Sequence, residues 1–94
     1  MANSTIKLTG LSNPTFLKAD DDMDNLSPGV YYQNGSYSLP ANAPSAKNAA
    51  VLVLRGRTSD IFQIWISNNE RKIYFRAKYV TWSPWQTLFS WSAS

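Results

Sequence analysis

The run Ile61–Leu88, IFQIWISNNERKIYFRAKYVTWSPWQTL, decides the fold. Its first segment, Ile61–Ser67, alternates: Phe62, Ile64 and Ile66 share one face, while Ile61, Gln63 and Trp65 share the other. Lys72–Tyr79 repeats the pattern, with Ile73, Phe75, Ala77 and Tyr79 set against Lys72, Tyr74, Arg76 and Lys78. Between them stands Asn68-Asn69-Glu70-Arg71, and adjacent Asn residues tolerate the left-handed backbone that a tight hairpin demands. A third segment opens with Trp82-Ser83-Pro84-Trp85 and runs through Gln86 to Phe89. Pro84 lacks an amide donor, which suits the start or edge of a strand. The stretch therefore reads as a β-meander onto which the upstream chain packs.

Working outward, Ala50–Leu54 (AVLVL) is a short, continuous apolar run that reads as a buried central strand. Arg55–Asp60 turns the chain into the meander. Ser38–Ala49 is rich in Pro, Ala, Ser and Asn without periodicity, which predicts a loop that either carries function or acts as a spacer. Val30–Tyr37 reads as the first main strand, although Asn34-Gly35 is a turn signal strong enough to make a small hairpin of it. Ahead of it, Asp20-Asp21-Asp22-Met23-Asp24-Asn25-Leu26 predicts one short helical turn near Asp20–Leu26. An Asp caps its N-terminus, Met23 and Leu26 face inward, and Ser27-Pro28-Gly29 stops it. The spacing of Asp20, Asp22 and Asp24 also matches the first half of a calcium loop. Asn25 replaces the required Gly there, and Tyr31 the required Glu, so no metal site is assigned. Residues 1–18 read as an extended lead-in: Met1–Thr5 is small and polar, Ile6-Lys7-Leu8 alternates as a short strand would, and Phe16 and Leu17 are bulky enough to dock on the sheet. Residues 19–94 form the β domain. The fold class is thus mainly β, a small antiparallel meander or sandwich-like domain.

Composition narrows the function. A chain of 94 residues fits one small domain, and its 14% aromatic content, with four Trp, supplies apolar burial. With no Cys there is neither a disulfide framework nor a thiolate zinc site, and self-association is one common route by which such small domains gain stability. No segment approaches the roughly 18 apolar residues of a membrane span, and no secretory leader is evident. The net charge of +3 divides unevenly. Met1–Ala46 sets two Lys against four Asp for −2, and Lys47–Ser94 sets seven Lys and Arg against Asp60 and Glu70 for +5. The cations are dispersed along strands, as on a solvated face, and form no polyanion-binding block. Without His or Cys the usual general base, thiol nucleophile and commonest metal ligands are missing. Four of the six carboxylates are neighbours in one stretch, so no pair is placed to flank a glycosidic bond, and no phosphate-binding Gly loop occurs. The chain reads as a non-enzyme with no cofactor.

Trp82 and Trp85, three apart across a proline, can bracket a bend. Arg76 or Lys78 stacked on such a ring contributes about 0.5–1 kcal/mol where exposed. Core or inter-subunit packing of these Trp and a sugar-stacking role both fit the pattern.

Taken together, the motifs are ordered: Asp-Asn-Leu-x-Pro-Gly-Val-Tyr (Asp24 to Tyr31, with Pro28, Gly29 and Tyr31), Val51–Leu54, Phe62-Gln63-Ile64-Trp65, Ile73-Tyr74-Phe75-Arg76 and Trp82-Ser83-Pro84-Trp85-Gln86. In this order and at this spacing they resemble the knob domain of R-type pyocin tail fibres, which is common in bacteriophage tail fibres and receptor-binding proteins. The resemblance covers about Ala19 to Phe89. It departs from the family pattern at Asn68–Arg71, where the family often has a Gly in the hairpin. The resemblance implies a small antiparallel β domain, assembled as a trimer about the fibre axis with other tail-fibre parts, in a virion built in the host cytoplasm. It further implies either adhesion to bacterial surface polysaccharide or another host receptor, or a purely structural role in fibre trimerisation or spacing. Gln63 and Arg76 match the family's recurrent Gln and Arg and are expected to pair with each other. Trp82, Trp85 and Tyr79 are the candidate glycan contacts. Binding of single-stranded nucleic acid would use the same aromatics flanked by cations, and it is the least favoured of these readings, so no nucleic-acid partner and no membrane insertion are assigned.

Overall fold

The computed structural model describes residues 13–34, 38–44 and 48–92. Six strands form one sheet in sequential order: β1 (Thr15–Phe16), β2 (Gly29–Gln33), β3 (Ala49–Arg55), β4 (Ile61–Ser67), β5 (Lys72–Lys78) and β6 (Gln86–Ser90). From β2 to β6 every pairing is antiparallel, as the meander reading requires. The chain is mainly β, with a one-turn 3₁₀ helix at Met23–Asn25 as its single helical element among the described residues. Asp22 is the N-cap, its side chain accepting from the Asp24 amide, and Met23 is fully buried while Leu26 packs against the core.

Several expectations are corrected in detail. Thr15 and Phe16, placed in the lead-in, pair with Tyr31 and Tyr32 in parallel, whereas Leu17 docks in the core as expected. Two residues are too short a run for alternation to announce a strand. Among the described residues the strands lie in one sheet, the meander form of the expected fold. β2 ends at Gln33, ahead of the proposed turn. The AVLVL strand is central in the sheet but buried on one side only: Val51 and Val53 are inside, whereas Ala50 and Leu54 are exposed. In the β4–β5 turn the left-handed residue is Arg71, with φ 56°, and neither Asn68 nor Asn69 takes that role. The expected strand at Ile6–Leu8 and the turn residue Gly35 lie outside the described residues.

Register fixes what each face carries. On the covered face the cross-strand rows are Gly29–Val53–Gln63–Arg76, Tyr31–Val51–Trp65–Tyr74 and Gln33–Ala49–Ser67–Lys72. The core of Leu17, Met23, Ala49, Val51, Val53 and Trp65 sits on this side, closed by Leu26, Leu39, Ala43 and Trp85. The lid over it is irregular chain. The Asp22 region and the Ser38–Pro44 segment pair through Met23 N to Ala41 O and Ala41 N to Asp21 O, both 3.0 Å. Part of the predicted free loop is therefore a core cover, with Pro40 buried. The opposite face carries the rows Leu54–Phe62–Ala77, Val30–Leu52–Ile64–Phe75 and Tyr32–Ala50–Ile66–Ile73, of which Tyr32, Ala50, Leu54 and Ile66 are exposed and the rest half-buried.

Candidate functional site

The motif residues Gln63 and Arg76 stand opposite each other on β4 and β5. Arg76 Nε donates to Gln63 Oε1 at 2.9 Å, and Gln63 Nε2 donates to the Met23 carbonyl at 2.6 Å. The other end of the guanidinium meets Asp24, with Nη2 2.8 Å from Oδ1. Its plane lies under two indoles: Cζ is 3.8 Å from the Trp82 ring centroid and 4.8 Å from that of Trp85. Arg76 thus ties the sheet, the 3₁₀ turn and the Trp-Ser-Pro-Trp segment together. Burial lowers its pKa, and the hydrogen bond and charge of Asp24 work against that shift. An arginine begins so far above neutrality that it stays a cation.

The acidic cluster is spent on local structure. Asp22 accepts from Asn42 Nδ2 at 2.8 Å and from the Asp24 amide at 3.0 Å, and these bonds hold its carboxyl below the ordinary value. Asp21 Oδ2 accepts from the Lys18 amide at 2.7 Å. No group of three or more potential ligands is poised to hold a metal among the described residues. Pro28 leads into β2, which Gly29 opens, and the Tyr31 hydroxyl donates to the Ser27 carbonyl at 2.5 Å, which places these motif residues in the frame of the fold. Burial, with the Asp21 charge adding to it, raises the Tyr31 pKa.

The three candidate aromatics separate. Trp85 is committed inward: its Nε1 donates to the Asn42 carbonyl at 2.8 Å, and its ring meets Trp65 edge-on at 6.4 Å between centroids. Trp82 and Tyr79 instead line an open cavity of 550 Å³ at one end of the sheet, with Arg57, Asp60, Lys78 and Thr81. Tyr79 is 67% exposed. Lys78 Nζ lies 5.8 Å from the Trp82 ring centroid, and Arg57 Nε pairs with Asp60 Oδ2 at 3.0 Å across the cavity's other wall. A smaller hollow of 280 Å³ shares Arg57, Asp60 and Tyr79 and adds Thr58 and Ser59.

Two loops build this cavity. In the β5–β6 connection, the Ser83 amide donates to the Ala77 carbonyl at 2.8 Å and Ser83 Oγ accepts from the Ala77 amide at 3.0 Å, so the turn at 79–82 is fixed from both sides. In the β3–β4 connection, Gly56 and Asp60 close the loop through Gly56 N to Asp60 O at 2.9 Å. A Cβ on Gly56 would stand 3.0 Å from the Phe62 ring and 3.1 Å from Asp60 Cβ, so glycine is what lets the loop fold this tightly. Sequence reading assigned Arg57 and Asp60 only to a turn. Their place in a cavity depends on the end of β5 arriving alongside, which no local pattern encodes.

The cavity offers a flat aromatic face, hydroxyls and one carboxylate beside cations. These groups can stack on and hydrogen-bond a polar ligand. No family model, curated protein or solved structure matches the chain.

Proposed function

We propose that this chain is a non-enzymatic receptor-binding knob of a bacteriophage tail fibre that holds bacterial surface glycan in the cavity between Tyr79 and Trp82. The observation that carries the reading is an exposed Tyr79 beside a Trp82 ring held in place by Arg76, over an open cavity of 550 Å³. That volume is within the roughly 300–1,000 Å³ of small-ligand sites. Sugars present C–H faces that stack on such rings and hydroxyls that suit Asp60, Thr81 and the cations. Fixing an aromatic before the ligand arrives lowers the ordering cost of binding. The resemblance to pyocin-type knobs supplies the setting: a trimer about a fibre axis, joined to other tail-fibre parts, in the virion.

The test is a glycan array probed with the full chain and with Tyr79→Ala. Tyr79 is largely exposed, so its loss leaves the fold intact, and binding falls at least tenfold if the ring carries a sugar. A Tyr79→Ala protein that binds as well as the parent removes this site. The second reading is a purely architectural fibre module. It is favoured by the internal commitment of Gln63, Arg76 and Trp85, which leaves only part of the motif set for a ligand. A chain that binds no glycan on the array while assembling normally supports that alternative.

A further inference from the structure

The cavity between Tyr79 and Trp82 carries an imbalance of charge that stacking on its rings does not use. Two of its lining residues, Arg57 and Lys78, are cations, and one, Asp60, is a carboxylate. Asp60 is engaged by Arg57, its Oδ2 accepting from Nε at 3.0 Å. Lys78 has no such match. All six carboxylate side chains of the chain lie in described residues, and the others are held elsewhere. Asp24 faces Arg76 at 2.8 Å, Asp20, Asp21 and Asp22 precede the 3₁₀ turn, and Glu70 accepts from the Tyr74 hydroxyl beyond the far end of β4. Arg76 and Lys78 stand two residues apart on β5 and both approach the Trp82 ring, so one cation there is balanced by Asp24 and the other is not. At 5.8 Å from the ring centroid, Lys78 Nζ is near the roughly 6 Å limit of a cation–π contact, which leaves its charge largely unanswered.

We infer that the cavity selects an acidic saccharide, one that bears a carboxylate or a phosphate, and that Lys78 sets this preference. The inference rests on the glycan reading of the cavity and adds the class of sugar. Lys78 lines the same hollow as the two rings, and its flexible four-carbon stem lets the ammonium follow a substituent of a sugar stacked there. An anionic substituent makes a charge-assisted hydrogen bond with it, stronger than the bond a hydroxyl makes. A neutral sugar displaces water from the ammonium and returns no charge. One unmatched cation suits one anionic group, whereas a polynucleotide is held by a run of cations along its backbone.

The test compares the affinity of the full chain for galacturonic acid oligosaccharides, for the same oligosaccharides with their carboxyls reduced to alcohols, and for a phosphorylated mannan. The acidic oligosaccharide is expected to bind about tenfold more tightly than its reduced form, the difference between a hydrogen bond to a charged group and one to a neutral group. Rising salt shrinks that ratio. Tighter binding of the phosphorylated mannan supports the inference equally and names phosphate as the anion. In Lys78→Gln with the parent's circular dichroism the ratio drops close to one, and in Lys78→Arg it is kept. Equal affinity for acidic and reduced sugars, or a ratio that survives Lys78→Gln, overturns the inference; if those sugars are still lost in Tyr79→Ala, the glycan reading stands without it. A chain that binds none of the three, or that prefers a single-stranded oligonucleotide to all of them, also overturns it.

Discussion

The two faces of the sheet share the same strands and differ in what closes them. On the covered face the side chains that cross from strand to strand include Gln63, Arg76, Ser67 and Gln33, yet this side is buried. On the other face the paired positions are aliphatic or aromatic, yet among the described residues they are only half-buried or exposed. Hydrophobicity alone does not select the interior here. The covered side is closed by irregular chain rich in backbone donors and acceptors, and such a lid needs polar sheet residues to satisfy it. A Gln reaching the Met23 carbonyl and an Arg reaching Asp24 meet that need.

The largest expected effect breaks the covered side. Arg76→Ala leaves Gln63 Oε1 without its donor and Asp24 without its cation, and frees the Trp82 ring; about 3–5 kcal/mol of stability is lost. For a domain of this size each kcal/mol moves the thermal midpoint by about 4–8 °C, so a scanning melt resolves the loss easily. A shift no greater than that of an exposed control such as Lys18→Ala denies Arg76 its structural role.

Next in size is a contrast between chain neighbours on opposite faces. Val53→Ala costs about 2 kcal/mol at any protein concentration, because the cavity it leaves is internal to one chain. Leu54→Ala costs less, because Leu54 is 45% exposed and its loss leaves no internal cavity. Chemical denaturation of both variants across a dilution series distinguishes them.

A smaller effect concerns acid. The folded pKa of Asp22 is lowered by Asn42 and the Asp24 amide from about 3.8. A depressed carboxyl pKa contributes stability that is complete above the unfolded value and is lost as pH falls through the folded one. The thermal midpoint should therefore hold above about pH 5 and fall below about pH 4, with a shallower acid slope in Asn42→Ala. An acid slope unchanged in that variant removes the Asn42 contribution.

The smallest effect is a gain. Arg71 adopts φ 56°, a conformation that costs a non-glycine L-residue energy, so Arg71→Gly raises stability by about 0.5–1 kcal/mol. A melt that is unchanged or lowered shows that the arginine side chain compensates for its backbone.

The alternation in Ile61–Ser67 and Lys72–Lys78 was enough to place β4 and β5 to the residue or nearly so, and the Asp run followed by Ser-Pro-Gly was enough for the short turn. Both are local signals. What the sequence could not show is which side of an alternating strand the lid would choose, because Gln63 becomes an inside residue only when Met23, forty positions away, presents its carbonyl. The same reason hid the one-sided burial of AVLVL and the parallel pairing of Thr15–Phe16. The candidate site was half legible. Trp82 and Tyr79 were singled out as aromatics beside a bend, while Trp85, chosen on the same grounds, turned inward. Arg57 and Asp60 carried no pattern beyond a turn.

The chain contains no cysteine, so single thiols placed at Val53 and Leu54 report the two faces without background. The decisive measurement is their labelling rate by a soluble maleimide across a dilution series. The account predicts that Val53→Cys is protected at every concentration and that Leu54→Cys reacts rapidly when dilute. Equal protection of both thiols at the highest dilution, or equal reactivity of both, contradicts it.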